Sequence, residues 1–111
     1  MKTEDVLTAL AAIAQQSRLA VFRLLVQTGP DGMAATKIAE QLAIAPSSLS
    51  FHLKALTHAR LITPRSAGRC IIYAADVAVM NGLIGYLTDN CCGGVPCGMS
   101  SGVRPLEGKR A

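Results

Sequence analysis

The sequence contains no tryptophan, and only 4% of its 111 residues are aromatic. Such scarcity argues against base stacking on an aromatic platform, the way single-stranded nucleic acid is usually held. Between Ile44 and Ala75 there is no acidic residue, whereas Lys54, Arg60, Arg65 and Arg69 all fall there. Charge of one sign over such a stretch suits phosphate contact. Long apolar runs are missing too: the most apolar segment, 71–87, is interrupted by Asp76 and Asn81 and is too short to span a bilayer comfortably. The start of the chain carries Glu4 and Asp5 and lacks the basic opening and apolar block of a signal peptide. The expectation is a cytoplasmic protein with no membrane partner, its cysteines reduced thiols rather than a disulfide framework. No internal repeat or low-complexity segment is found.

Half of the residues are hydrophobic, enough for one domain with a modest core. A formal net charge of +4 is compatible with a polyanionic partner. The most informative stretch is 36–61, TKIAEQLAIAPSSLSFHLKALTHARL. Apolar spacing at Ile38, Ala39, Leu42 and Ala43 predicts one short helix; Leu49, Leu53 and Leu56, with Ala45 and Ala59 near the ends, predict a second. Pro46 stands where a missing N–H costs nothing, at the start of that second helix. Ser47, Ser48 and Ser50 then place small hydroxyls on its first turns, the end that meets base edges in a helix-turn-helix. The competing reading is a helical hairpin in an ordinary all-α domain, with serines serving as caps.

The segment after this helix pair favours DNA. Residues 61–65, 66–69 and 70–74 read as strand, turn and strand, with Gly68 in the turn and Arg65 and Arg69 towards the tip of a wing. Upstream, 4–14 predicts a helix with Thr3 as N-cap and Val6, Leu7, Leu10, Ala11 and Ala14 as its apolar face. A second helix over 17–28 is expected to bury Leu19, Phe22, Leu25 and Val26 and to turn Arg18 and Arg23 outward. Gly29-Pro30-Asp31-Gly32 ends it. After the wing, Asp76 caps a last helix over 77–88 whose apolar residues cover more of the circumference than one core face needs. Such a helix is either the central helix of a small protein or, the favoured expectation, part of a dimer interface formed with the first helix. Twofold symmetry then places two reading helices roughly 34 Å apart, on an imperfect inverted repeat.

The remaining signal is 90–97, NCCGGVPC, which holds three of the four cysteines. Adjacent helical residues point about 100° apart, so Cys91 and Cys92 share an ion only if the backbone turns. Asn90, Gly93 and Gly94 permit that turn, and Val95-Pro96 leads back to Cys97. Three thiols in a compact loop suit a soft, three-coordinate centre. Structural zinc prefers four Cys or His ligands, and this loop has no histidine. Trivalent arsenic or antimony takes three thiolates in a trigonal pyramid; another soft metal or thiol redox chemistry is the alternative. Cys70, on the wing, is a reserve candidate. An enzymatic thiol reductase is not favoured, because no second helix follows Gly93-Gly94 to open an oxyanion site.

In SRLAVFRLL, in PSSLSFHLKALTHARLI and in SAGRCIIYAA the chain resembles the ArsR/SmtB winged-helix repressors over nearly its whole length. The tail resembles that of the arsenite-responsive branch, which ends its last helix in Cys-Cys and adds a third cysteine. No cysteine lies in 33–40 and no histidine on the last helix, unlike the other metal-sensing branches. The resemblance implies a mainly α fold with a β-hairpin wing, in the order α-α-α-α-β-β-α, dimerising through its first and last helices. Residues 1–90 form the DNA-binding and dimerisation domain, and 91–111 a Cys-rich loop and tail. By that similarity Cys91, Cys92 and Cys97 bind As(III) or Sb(III) as inducer, with no organic cofactor. The implied function is autoregulation of an arsenic-resistance operon: the homodimer holds double-stranded operator DNA and leaves it when the metalloid binds. Ser47, Ser48, Ser50 and His52 are expected at bases or nearby phosphates, with Lys54, Arg65 and Arg69 on the backbone.

Overall fold

The computed structural model describes residues 1–89. In chain order these form α1 (Thr3–Ile13), α2 (Gln16–Thr28), β1 (Met33–Ala34), α3 (Ala35–Leu42), α4 (Pro46–His58), β2 (Ile62–Ala67), β3 (Cys70–Ala75) and α5 (Val77–Leu87). The arrangement is the expected winged helix-turn-helix with one addition, the two-residue β1. It pairs antiparallel with β3 at Met33↔Tyr73 and Ala34↔Ile72. The sheet order is therefore β1-β3-β2, with β3 central. So short a strand, lying directly before a helix, leaves no alternation for a sequence reading to detect. Pro64 sits on β2, an edge strand, where its missing N–H interrupts no inner ladder.

The core takes buried residues from all five helices and from the start of β2. Val6, Ala9 and Ala12 come from α1, Val21, Phe22 and Leu25 from α2, Ile38 from α3, and Leu49, Leu53 and Leu56 from α4. Leu61, Ile62 and Leu83 close it. Two helices are rotated from expectation. On α1 the buried alanines Ala9 and Ala12 face inward, because their small side chains let the helix approach its neighbours closely. Leu7 is 61% exposed, and Ala11 and Ala14 are exposed with it. On α2 the inward arc is Val21, Phe22 and Leu25, so Leu19 and Val26 lie to its two sides and are exposed. The N-caps differ as well. Lys2 is the N-cap of α1, its N–H donating to Asp5 Oδ2 at 3.4 Å. The Thr3 hydroxyl instead lies 2.7 Å from that of Tyr86 and ties α1 to α5. Asp76 caps α5 as expected, its Oδ1 accepting from the Val79 N–H at 3.2 Å.

Both helices of the helix-turn-helix end in the same way. At α3 the Ile44 N–H bonds Ala39 O (3.1 Å) and the Ala43 N–H reaches Glu40 O (3.4 Å). At α4 the Leu61 N–H bonds Leu56 O (3.1 Å) and the Arg60 N–H bonds Thr57 O (2.9 Å). These are Schellman endings, with Ala43 (φ 53) and Arg60 (φ 65) in the left-handed position that glycine usually fills. Burial of Leu56 and Leu61 against the core holds the second one despite that conformational cost.

Gly32 sets how closely the loop after α2 meets the sheet. Its φ is 74°, and a Cβ there would stand 2.5 Å from Tyr73 O and 2.8 Å from Ile72 Cγ2. Gly68, the first residue of the two-residue hairpin loop, has φ 66° but open space around it. Gly32→Ala is therefore expected to destabilise the fold by more than about 2 kcal/mol, combining left-handed strain with a backbone clash. Gly68→Ala should cost only the strain, about 1 kcal/mol. Urea unfolding of the two variants checks this; equal losses would contradict the close approach at Gly32.

Candidate nucleic-acid interface

Helix α4 has a buried side and an open side, and their phase follows from one helical period. Leu49, Leu53 and Leu56, at steps of four and three, form a buried seam. Ser47, Phe51, Lys54 and His58, at i, i+4, i+7 and i+11, run down the opposite side, and all four are exposed. Ser48 and Ser50 are exposed beside them. Of the residues expected to meet DNA, the structure therefore brings Ser47, Ser48, Ser50 and Lys54 together on the outer surface of one helix. The turn that aims this helix is short: Ala43 in the left-handed region, two residues, then Pro46 at the first helical position.

His52 is placed differently. It is half-buried, and its Nδ1 accepts a hydrogen bond from Arg18 Nε at 3.2 Å. Arg18 was expected to face outward, but it continues the inward arc of α2 one turn before Val21 and Phe22, and its own side chain is half-buried. The Arg18–His52 bond thus joins the second helix to the recognition helix. A guanidinium only donates, so His52 Nδ1 carries no proton while the bond is made, and the ring hydrogen of the neutral form is on Nε2.

The wing carries the two expected arginines. Arg65 Nη2 donates to the backbone carbonyl of Asp31 at 2.6 Å, so this side chain leaves the edge strand for the loop that precedes β1. Arg69 is exposed in the two-residue turn beside Gly68. Cys70 is an exposed free thiol, paired in register with Ala67 at the tip of the hairpin. Among the described residues no group of three or more His, Cys, Asp or Glu side chains is placed to hold a metal ion. The expected metalloid ligands, Cys91, Cys92 and Cys97, lie outside the described residues.

Two features were missed by the sequence reading. Phe51 is 72% exposed, a position that counting helical phase from the leucine seam would have found. The Thr3–Tyr86 contact joins residues 83 apart, and no local pattern announces it. No single helix among the described residues is long and apolar enough to cross a membrane.

The Arg18–His52 bond makes a spectroscopic prediction. Nitrogen NMR of His52 at neutral or higher pH should show an unprotonated Nδ1 and a protonated Nε2. Arg18→Ala should shift the ring towards a mixture of both tautomers. A protonated Nδ1 in the unaltered neutral ring would contradict the bond.

Comparison with known proteins agrees with this geometry. Residues 13–65 match a family model described as a helix-turn-helix domain. The chain is similar to an ArsR-like transcriptional regulator from Rhodococcus sp. RHA1, at 24% identity and TM-score 0.67 over 76% of each chain. It is also similar to NolR from Sinorhizobium fredii, at 28% identity and TM-score 0.61 over 79% of this chain and 85% of that one. A structure described as a possible transcriptional regulator for arsenical resistance matches at 26% identity and TM-score 0.60, over 79% and 96%. No curated protein matches the sequence. These likenesses agree with the winged fold described above and place a helix-turn-helix domain at residues 13–65.

Proposed function

We propose that this chain is a cytoplasmic transcriptional repressor that binds operator DNA as a homodimer and releases it when trivalent arsenic or antimony binds Cys91, Cys92 and Cys97. The observation that carries the DNA half of this reading is the outer surface of α4. It presents three hydroxyls and Lys54, in a segment without a single carboxylate from Ile44 to Ala75. Ser47, Ser48 and Ser50 contact base edges or adjacent phosphates, and Lys54, Arg65 and Arg69 hold the backbone, while His52 stays bonded to Arg18 behind that surface. For Arg65 this means exchanging the Asp31 carbonyl for a phosphate oxygen, a stronger, charge-assisted partner.

The dimer half rests on apolar surface that the monomer leaves open. Leu7 and Ala11 on α1 and Ala14 at its C-terminal cap face outward, and Val77, Ile84 and Leu87 are exposed on α5. The two helices are already joined through Thr3 and Tyr86. A second copy of the chain is the natural cover for both at once.

The inducer half rests on donor chemistry. Three thiols within seven residues match the coordination number of a pyramidal As(III) centre. Arsenous acid exchanging its three hydroxides for three thiols releases three waters and no net proton. Cys91 comes only four residues after α5 ends at Leu87, so ligand capture acts on the end of the helix that the dimer is proposed to use. A coupling of about 1–3 kcal/mol, some 5–150-fold in affinity, is an ordinary magnitude for such a link. One of the similar structures is that of a possible transcriptional regulator for arsenical resistance. A vicinal thiol pair with an exposed Cys70 also suits a redox-sensing or soft-metal-sensing repressor, the second reading.

One titration separates these readings. The chain is bound to a duplex that it selects from a randomised library, and arsenite, zinc or hydrogen peroxide is added in parallel. Arsenite should release the DNA at concentrations where the other two do not. Cys92→Ser should bind the same duplex with unchanged affinity and stay bound in arsenite. Normal release of that variant would overturn the ligand assignment, and release by peroxide alone would favour the redox reading.

A further inference from the structure

The recognition helix carries one residue that neither the fold nor the expected set of DNA contacts explains. Phe51 is the most exposed large apolar side chain among the described residues, at 72%. At 100° per residue it lies nearly opposite the centre of the Leu49–Leu53–Leu56 seam, so no relaxation of the core brings it inside. It makes no contribution to the hydrophobic cluster, in which Phe22 is buried and against which half-buried Tyr73 packs. Exposed phenyl surface loses the roughly 1.5–3 kcal/mol that a buried one contributes, so its place on the helix calls for another use.

Its neighbours define that use. Ser47 stands one turn before it and Lys54 one turn after it, both exposed, and no carboxylate occurs between Ile44 and Ala75. A ring set among hydroxyls and a cation suits an acidic polymer with a local apolar feature better than it suits another protein's apolar face. Stacking on unpaired bases needs a row of aromatic rings. Here Phe22 is buried, Tyr73 is half-buried, and Tyr86 belongs to α5, bonded to Thr3. The adjacent polar candidate, His52, is turned aside by Arg18. In the major groove the one apolar group on a base edge is the C5-methyl of thymine.

We propose that Phe51 is a specificity-determining contact of this regulator, packing its ring on a thymine methyl in the major groove. The inference rests on the DNA-binding reading above and deepens it: the serines and Lys54 place the helix, and Phe51 selects the sequence. Contact is by dispersion and by exclusion of water, so it is insensitive to salt, in contrast to the phosphate contacts.

The test uses the full chain and the duplex that the wild type selects from a randomised library. Each thymine is replaced in turn by uracil, which removes only the methyl group. At one or more positions the replacement should weaken wild-type binding about three- to tenfold, the scale of one or two buried methyl contacts. Phe51→Ala should lose a similar factor on the thymine duplex and show no further loss with uracil at that position. Phe51→Leu should retain part of the methyl preference. Because the side chain is exposed, the melting temperature of both variants should equal that of the wild type. A Phe51→Ala variant that binds the thymine duplex at full strength, or that still distinguishes thymine from uracil there, overturns the inference. If the wild type selects a duplex and Phe51→Ala selects the same one, only this inference fails. If the wild type selects no duplex at all, the DNA-binding reading fails with it.

Discussion

Leu49, Leu53 and Leu56 are withdrawn from water into the core, and their burial determines what α4 shows to the outside. Each contributes roughly 1.5–3 kcal/mol by leaving water, far more than any single hydrogen bond on the helix surface. Turning the helix by one residue would expose that seam and bury serines and a lysine. The phase of the reading surface is thus set from within, before any partner arrives. The Schellman ending at Leu56 and Leu61 fixes where the helix stops and where the wing begins, even with an arginine in the left-handed position. The Arg18–His52 bond adds a polar tie to α2.

The same logic explains the opposite side of the molecule. Alanines on α1 and only Leu83 among the fully buried residues of α5 let these helices pack tightly with few large side chains. The larger ones, Leu7, Val77, Ile84 and Leu87, are left facing outward. A domain of this size that exposes so many of its large apolar residues on two joined helices has a surface suited to association. The proposed regulator uses that surface twice, to set the spacing of two reading helices and to receive a signal from the cysteines that follow α5. The two uses are compatible because a ligand acts on DNA affinity only through its different affinity for two states of the dimer.

Much of this was legible in the sequence. Leu49, Leu53 and Leu56 marked the recognition helix and its buried side, Pro46 its start, Gly68 the hairpin, and Asp76 the cap of α5. Hydrophobic periodicity does not show where small residues carry the packing. Ala9 and Ala12 are buried while Leu7 is not, because close approach of α1 to its neighbours favours alanine over leucine. Arg18 was placed outside because charge usually is, yet it lies in line with Val21, Phe22 and Leu25 and finds an acceptor in a residue 34 positions away. Strand β1 exists only because β3 passes beside it, with Gly32 permitting the approach. Long-range contacts of this kind have no local signature. Of the candidate site residues, those on α4 and the wing were identifiable from helical phase and charge. Cys91, Cys92 and Cys97, identifiable from their clustering, lie outside the described residues.

Everything proposed for this chain requires the outward stripe of α4 to be the surface that meets duplex DNA. The most direct measurement is residue-by-residue NMR mapping of the isotope-labelled chain with its selected duplex, read as intermolecular contacts along residues 46–58. Contacts should recur with the helical period at Ser47, Phe51 and Lys54 and be absent at Leu49, Leu53 and Leu56. Contacts confined to α1 and α5, or none on α4 at a duplex concentration that saturates binding, would contradict it.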